Sequence, residues 1–308
     1  MSRPDAILIA GPTASGKSAA ALAAATMFDG VIINADSMQV YQDLRILTAR
    51  PSEDDERRAP HVMYGFVDGA QAYSVGLWLE DAAREIGRAR EAGRMPIITG
   101  GTGLYFRALL EGLSPVPDIP EEIRAFWRAE GERRTAPELH AILAARDPVM
   151  AERLRPSDRQ RIIRALEVLE TSGTSLAVWQ QQPGRPVLAP ERVARYFIAR
   201  ERAALYQRID RRFDAMIAAG ALEEVRALAA RSLSPQLPVM RAVGVQSLLA
   251  HLRGASSLEE AVERAKTDSR RYAKRQLTWA NRNMIAWKRV ILKDSERELC
   301  DIFSNIDV

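Results

Sequence analysis

The sequence predicts an α/β protein built on a parallel β-sheet that is flanked by helices. Three short apolar runs are each followed by a glycine-containing or polar turn, and they span residues 7–10, 31–34 and 95–99. Helix-forming stretches separate the runs, and this alternation is typical of a parallel sheet. Ligands bind such sheets at the carboxyl ends of the strands. We therefore expect the turns that follow the runs, at 11–18, 35–41 and 100–105, to face one crevice.

The first turn reads Gly-Pro-Thr-Ala-Ser-Gly-Lys-Ser and lies between an apolar run and an alanine-rich helix. This is a phosphate-binding loop, or P-loop, in the context that the motif requires. Gly11 and Gly16 let backbone N–H groups curl inward, and the start of the helix adds a positive dipole. Lys17 brings a charge between phosphates, and Ser18 offers a hydroxyl to Mg²⁺. The loop predicts a polyphosphate ligand, against the alternative of a turn that binds nothing.

Two polar residues follow the other runs. Asp36 comes directly after the second run, so its carboxylate is expected to face the same crevice as the P-loop. The alternative is that Asp36 or Ser37 only caps a helix. Thr102 follows Gly100 and Gly101, which allow a ligand to approach the backbone closely, although a plain tight turn has the same composition.

Composition sets limits on the class of protein. The 308 residues are 47% hydrophobic and 27% charged with a net charge of +4, which indicates a globular protein and only weakly suggests an anionic partner. No apolar run approaches the roughly 20 residues that a membrane-spanning helix needs, and no signal peptide is recognised. We expect a cytoplasmic protein. Cys300 is the single cysteine, which excludes an internal disulfide and a zinc site built on several thiolates.

Three prolines between 115 and 120 mark a domain boundary. We expect a catalytic core at 1–114 and 190–308, interrupted by an all-helical insertion domain at 115–189. Five arginines lie between 153 and 164, and Arg161 and Arg164 share a helix face. That face predicts an anion-binding surface, with an ordinary solvated surface as the alternative.

The C-terminal part adds strands at 194–199 and 288–292 around mainly helical sequence. Near its end, Tyr272, Trp279 and Trp287 alternate with lysines and arginines. Aromatic and basic side chains in this arrangement suit phosphate contacts and base stacking in a nucleic-acid site. The alternative is that the tryptophans belong to the core and the charges face solvent.

Six blocks, taken together and in order, resemble one family. They lie at 11–18, 36–41, 48–51, 100–105, 160–167 and 274–279. Over almost the whole chain, the sequence is similar to the tRNA dimethylallyltransferase family, also known as tRNA isopentenyl transferases. The resemblance implies transfer of a dimethylallyl group from its diphosphate to N6 of adenosine 37, in tRNAs that read codons beginning with U. Diphosphate is released.

The resemblance also implies roles for individual residues. Asp36 would be the base, and Asp36, Thr13 and Thr102 form the expected catalytic set. The expected diphosphate-binding set is Gly11, Thr13, Ala14, Ser15, Gly16, Lys17, Ser18 and Arg212, with Mg²⁺ held by Ser18 and diphosphate oxygens. The expected tRNA-binding set is Asp36, Ser37, Met38, Gln39, Thr102, Arg124, Gln160, Arg161, Arg164, Arg241, Gly244, Lys274, Arg275, Gln276 and Trp279.

The implied partners are dimethylallyl diphosphate and the anticodon stem-loop of tRNA. We expect the protein not to bind a membrane and to be a monomer. The insertion domain would grip the stem-loop on one side, and the stretch 274–281 would hold it on the other. Two alternatives share the P-loop scaffold. A small-molecule kinase would use Asp36 to activate a hydroxyl, whereas a non-catalytic RNA-binding ATPase would give Asp36 and Thr102 no role beside the loop.

Overall fold

A six-stranded, wholly parallel β-sheet forms the centre of the protein in a computed structural model that describes residues 3–293 and 302–303. The strands are β1 (Ala6–Ala10), β2 (Gly30–Asn34), β3 (His61–Val62), β4 (Met95–Gly100), β5 (Val193–Ala199) and β6 (Lys288–Ile291). Their order across the sheet is β3-β2-β4-β1-β5-β6. The predicted α/β fold with a parallel sheet is confirmed. Cys300 lies outside the described residues.

Five of the six strands coincide with runs identified in the sequence, and the exception is β3. It contributes only two residues, which pair with Ile32 and Ile33 of β2. A two-residue strand carries no periodicity, so the sequence offers no signal for it.

Helices connect the strands. In the N-terminal part they are α1 (Lys17–Phe28), α2 (Glu53–Arg58), α3 (Val75–Glu91) and α4 (Gly103–Glu111). The middle part contains α5 (Glu121–Arg133), α6 (Ala136–Arg146), α7 (Pro148–Arg153), α8 (Arg159–Ser172) and α9 (Leu176–Trp179). After β5 come α10 (Arg202–Ala218), α11 (Ala221–Ala230), α12 (Val245–Leu252) and α13 (Leu258–Asn283). No helix among the described residues is long and apolar enough to cross a bilayer.

The chain divides into two compact units, residues 1–110 with 187–308 and residues 111–186. In the first unit, the two faces of the sheet are covered by separate apolar clusters, one centred on Trp78 and Phe106 and the other on Phe28 and Ile97. A third cluster packs α11, α12 and the start of α13 around Leu44. Buried apolar area of this kind is the main source of stability in a domain.

The second unit is helical throughout and has its own core. Trp127, Leu139, Leu143, Ile162 and Leu166 are all buried within it. The unit begins four residues before the predicted insertion at 115 and ends three residues before its predicted end at 189. Because this unit buries its own apolar residues, it has the hydrophobic core expected of an independent helical domain.

Trp287 corrects one interpretation made from the sequence. Its side chain is 6% exposed and packs edge-on against Phe106, with ring centroids 5.3 Å apart. The aromatic and basic alternation near the C-terminus therefore does not extend to Trp287, which is a core residue. Its neighbours Lys288 and Arg289 lie over the rings of Tyr196 and Phe197.

Candidate active site

The P-loop adopts a conformation that requires glycine at two positions. Gly16 has φ of 100° immediately before α1, a backbone angle that residues with a Cβ rarely adopt. A Cβ on Gly11 would lie 2.6 Å from the carbonyl oxygen of Ile198 in β5. Glycine at these two positions therefore lets the loop curl against the sheet and present the start of α1.

Some loop amides are already engaged within the protein. The Ser15 N–H donates to the Pro12 carbonyl at 3.2 Å, and the Ser15 side chain is fully buried. The Thr13 N–H donates to Oε1 of Gln276 at 2.9 Å. The first amides of α1, before the Ala20 N–H that donates to the Gly16 carbonyl at 3.1 Å, have no acceptor within the helix, as at any helix N-terminus.

Three cationic side chains meet at the P-loop, Lys17 from the loop itself and Arg208 and Arg212 from α10. The pKa of Lys17 is lowered to about 8, mainly by burial; the Asp36 carboxylate opposes this shift and the Arg212 charge adds to it. Burial likewise lowers the pKa of Arg212 to about 10, although Asp36 favours its charged form. Arg208 donates from Nε to the Ala14 carbonyl at 3.3 Å. Cationic side chains gathered in this way at a helix N-terminus favour the binding of an anionic ligand.

Arg212 also donates through Nη2 to Oγ1 of Thr13. This contact places two members of the expected diphosphate-binding set side by side, although they are 199 residues apart in the chain. α10 presents Arg212 from the turn that faces the loop, and Leu205 and Ile209 on the same helix are buried. The helix is therefore fixed by its apolar face while its arginines reach the P-loop.

Gln276 on α13 joins the P-loop to the turn after β4. Its Oε1 accepts from the Thr13 N–H, and its Nε2 donates to the Gly101 carbonyl at 3.0 Å. A Cβ on Gly101 would lie 2.2 Å from this Nε2 and 3.4 Å from Oδ2 of Asp36. Glycine at 101 therefore allows the amide and the carboxylate to approach the same point.

Asp36 is oriented by Asn34, which has no exposed surface. Oδ1 of Asn34 accepts from the Asp36 N–H at 2.9 Å, and Nδ2 donates to the carbonyls of Asp36 and Met63, each at 3.0 Å. Oδ1 of Asp36 then accepts from the Met38 N–H at 3.0 Å. No helix begins in the turn 35–41, so the predicted alternative of a helix cap at Asp36 or Ser37 is wrong.

Thr102 lies against the Asp36 turn. Its Oγ1 accepts from the Ser37 N–H at 3.0 Å, and its own N–H donates to the Ala35 carbonyl at 3.1 Å. Behind both turns, Trp78 stacks on Tyr105 with ring centroids 4.1 Å apart and donates from Nε1 to the Asn34 carbonyl at 2.9 Å. These contacts bring the ends of β2 and β4 together, as the topology requires.

Two neighbouring cavities open at this edge of the sheet. One, of about 220 Å³, is lined by Thr13, Asp36, Met38, Thr48, Arg212 and Arg241, among others. The other, of about 330 Å³, has mainly apolar walls that include Gly11, Phe106, Phe197, Trp279 and Met284. Ser37, Tyr272 and Arg275 line both cavities. A polar compartment containing the carboxylate thus adjoins an apolar one beside the first glycine of the P-loop.

Ser18 is the residue that could hold a metal ion. Its side chain is exposed at the first turn of α1, and its hydroxyl makes no hydrogen bond to another described residue. The described residues contain no cluster of three or more His, Cys, Asp or Glu side chains suited to a metal. A single hydroxyl fits Mg²⁺ that is bound mainly through phosphate oxygens and water.

The remaining residues of the expected tRNA-binding set divide between the two units. In the first unit, Arg241, Lys274 and Arg275 are exposed, and Trp279 packs its ring against Gly103. Gly244 has φ of 95° and begins α12, so its role is conformational. Gln39 directs its amide to the Thr48 and Ala49 carbonyls at 2.9 Å and 2.8 Å.

Arg124, Gln160, Arg161 and Arg164 belong to the second unit. Arg161 lies 2.8 Å from Asp158, and Arg164 lies 3.4 Å from Glu167. The α8 face is therefore less positive than the spacing of its arginines indicates, because each has an acidic neighbour. The Arg161–Asp158 pair is exposed, and pairs of this type contribute little to stability.

Three contributors to the site carried no local signal in the sequence. Asn34 reads as part of a strand, Arg208 as one of several helix-surface arginines, and Gln276 as a position expected to contact tRNA. Only the pairing of distant segments shows that each of them shapes the P-loop or the Asp36 turn.

Comparison with known proteins gives consistent results. A family model described as IPP transferase matches residues 39–283, and one described as isopentenyl transferase matches residues 4–62. The chain is 58% identical to a tRNA dimethylallyltransferase of Methylocella silvestris, covering 91% of this chain and 92% of that one. It is 54% identical to the tRNA dimethylallyltransferase of Nitrobacter hamburgensis, covering 96% and 93%.

Comparison with solved structures finds the same family. The crystal structure of a tRNA isopentenylpyrophosphate transferase from Bacillus halodurans superimposes with a TM-score of 0.70 at 32% identity, covering 96% of this chain and 93% of that one. A eukaryotic dimethylallyltransferase acting on tRNA superimposes with a TM-score of 0.80 at 26% identity, covering 98% and 76%.

Proposed function

Since the chain belongs to the IPP transferase family, we propose that it is a tRNA dimethylallyltransferase and that Asp36 and the P-loop form its reaction centre. The observation that carries this proposal is that Asp36, Thr13 and Arg212 line a single cavity. The acceptor is N6 of adenosine 37, in tRNAs that read codons beginning with U. The products are N6-isopentenyladenosine and diphosphate.

The P-loop acts as the site of the leaving group. The amides at the start of α1, Lys17 and Arg212 hold the donor diphosphate and stabilise the negative charge that develops as the bond from carbon to oxygen breaks. Mg²⁺ bound by Ser18 and the diphosphate would neutralise part of the same charge. Because an allylic carbon tolerates positive charge, stabilising the leaving group supplies much of the catalysis.

Asp36 accepts the proton. The N6 lone pair attacks the first carbon of the donor, the diphosphate leaves with the electron pair of the broken bond, and one N6 proton passes to the Asp36 carboxylate. Asn34 holds the backbone of Asp36 and the Met38 N–H donates to Oδ1 of its carboxylate, so Oδ2 can reach toward the substrate. Thr102 fixes the neighbouring Ser37 backbone.

The two cavities suit the two reactants. We assign the polar cavity that contains Asp36 to the adenine base and the apolar cavity to the hydrocarbon of the donor. An adenosine stacked in an anticodon loop cannot present N6 to such a crevice, so the base must be flipped out, at a cost of a few kcal/mol. Arg241, Lys274 and Arg275 are available for phosphates around the flipped nucleotide.

Mass spectrometry of nucleosides tests the proposal. Unmodified tRNA is incubated with the protein, dimethylallyl diphosphate and Mg²⁺, without ATP, and is then digested. Isopentenyladenosine is expected, and omission of Mg²⁺ or of the donor is expected to reduce or abolish it. A kinase would instead convert ATP to ADP with a small acceptor. A digest that contains no isopentenyladenosine would refute the proposed activity.

The setting of the enzyme is part of the same proposal. We expect a cytoplasmic monomer, and light scattering in the presence and absence of tRNA measures the number of chains in each state.

A further inference from the structure

Residues 44–50 form part of the wall of the cavity that contains Asp36. They have no regular secondary structure and are held by a side chain that is distant in the sequence. Residues 44–50 form a compact turn, in which the Ala49 N–H donates to the Ile46 carbonyl at 2.9 Å and the Arg50 N–H to the Arg45 carbonyl at 3.0 Å. Leu47 and Thr48 of this turn line the cavity with Asp36. A short isolated turn of this kind is unstable alone, since nucleating a helical turn is unfavourable.

Glu224 on α11 binds the open end of this turn. Its Oε1 accepts from the N–H groups of Arg45 and Ile46, the latter at 2.9 Å, and its Oε2 accepts from the Leu47 N–H at 2.9 Å. Three consecutive amides thus donate to one carboxylate that is 177 or more residues away. The geometry is that of an anion at a helix N-terminus, with a protein side chain as the anion.

The turn held by Glu224 is hydrogen-bonded to the segment that carries Asp36. Gln39 donates from Nε2 to the carbonyls of Thr48 and Ala49, so the far end of the turn is bonded to the segment that carries Asp36. Met38, next to Gln39, donates its N–H to Asp36. Glu224 itself lines none of the cavities described above.

A second contact from the end of α11 holds the start of the same loop. Arg231 pairs with Asp43 and Asp68, and the Asp43 side chain is only 6% exposed. Leu44 and Leu47 pack in the same apolar cluster as Val225 and Leu228 of α11. Apolar contacts fix the distance between α11 and the loop, while the Glu224 carboxylate fixes the orientation of the turn.

We propose that Glu224 is a positioning residue for the acceptor side of the reaction. By holding residues 45–47, it sets the cavity wall and the Gln39 contact that shape the place of the adenine beside Asp36. The hydrogen bonds that join Thr13 to Arg212 and Gln276 do not involve the turn, so donor binding is expected to depend on Glu224 much less than tRNA use does. The inference relies on the proposed function only for the substrate that the kinetic assay uses.

The kinetic test compares two neighbouring acids. Glu224→Ala is expected to lower kcat/KM for tRNA by about 10- to 100-fold, the scale of a small misplacement in an active site. The Kd for dimethylallyl diphosphate is expected to stay within about twofold of the parent, since the P-loop is not touched. Glu223→Ala is the matched control, because it removes the same charge from the same helix at a residue that pairs with Arg226 at the surface.

Two further variants separate positioning from folding. Glu224→Gln keeps one acceptor oxygen but turns an NH₂ group toward an amide donor, so a smaller loss of kcat/KM than that of Glu224→Ala is expected. Glu224→Asp keeps the charge and is expected to recover part of the activity. If every Glu224 variant also loses donor affinity, Glu224 serves folding as a whole and the proposal is wrong.

Hydrogen exchange gives a readout that does not need the enzymatic activity. The amides of residues 45–47 are expected to lose protection in Glu224→Ala and to keep it in Glu223→Ala. If kcat/KM for tRNA is the same in these two variants, or if protection is unchanged, the proposal is overturned. Failure of the parent protein to modify tRNA would refute the proposed activity but leave the exchange result intact.

Discussion

Asn34 secures the backbone on both sides of Asp36, so the carboxylate can be altered without loss of the turn. Asp36→Asn keeps an Oδ1 acceptor for the Met38 N–H but removes the negative charge and the ability to accept a proton. Turnover is expected to fall by about 10² or more, with tRNA affinity nearly unchanged. Single-turnover rates and filter binding measure the two quantities. A parallel loss of tRNA binding would mean that Asp36 mainly holds the turn.

Lys17 links donor binding to pH. Its ammonium is charged below its pKa of about 8 and is neutral above it, and the diphosphate binds the charged form. Donor affinity is therefore expected to fall as pH rises through about 8. Equilibrium dialysis with the donor in the absence of tRNA measures this dependence. Lys17→Met should bind the donor more weakly and lack this pH-dependent decrease, so an unchanged curve in that variant would assign the titration elsewhere.

At the scale of elements, α3 supports the end of β2 through Trp78. This side chain has no exposed surface and donates a hydrogen bond to the Asn34 carbonyl. Trp78→Phe removes that donor and part of the buried ring, so the free energy of unfolding is expected to drop by about 1–3 kcal/mol. Urea denaturation measures it. Leu77→Ala, at a site 48% exposed on the same helix, is the control and should change stability much less.

The sequence predicts the elements that carry their own signals. The P-loop and the Asp36 and Thr102 turns follow apolar runs, and parallel topology brings the ends of such runs to one edge, so these parts of the site were predictable. Trp287 was not, because an isolated aromatic residue between basic ones fits both a stacking surface and a core position. Only its packing on Phe106 distinguishes the two.

The parts of the site that the sequence does not predict depend on contacts between distant segments. Gln276 meets Thr13 across 263 residues, and Glu224 meets Leu47 across 177. Neither pair has a local pattern, since hydrogen-bond partners of this kind depend on how helices pack on the sheet. A single sequence shows that α10, α11 and α13 are amphipathic, but it does not show which polar residue on each helix faces the site.

At the scale of the whole molecule, tRNA binding should depend on charge in both units. Arg161→Ala with Arg164→Ala is expected to weaken tRNA binding and to reduce the slope of log K against log salt by about one unit per lost phosphate contact. The control is Arg84→Ala with Arg88→Ala on α3, since both arginines are exposed and paired with acids three residues away. If the slope of log K against log salt is the same for the two double variants, the α8 face does not contact tRNA phosphates and is ordinary solvated surface.

The junction of the second unit has a consequence for how the protein can be divided. The N–H groups of Val187 and Leu188 both donate to the Leu109 carbonyl, at 2.9 Å and 3.0 Å. The polypeptide thus leaves the first unit and re-enters it at nearly the same point, so a short flexible linker can replace residues 111–186. The trimmed protein should fold, bind dimethylallyl diphosphate with near-parental affinity and lose most of its affinity for tRNA, as calorimetry and filter binding would measure. We then expect the helical unit to be exchangeable, so that other RNA-binding modules joined at Leu110 and Val187 direct the same prenyl chemistry to other RNAs.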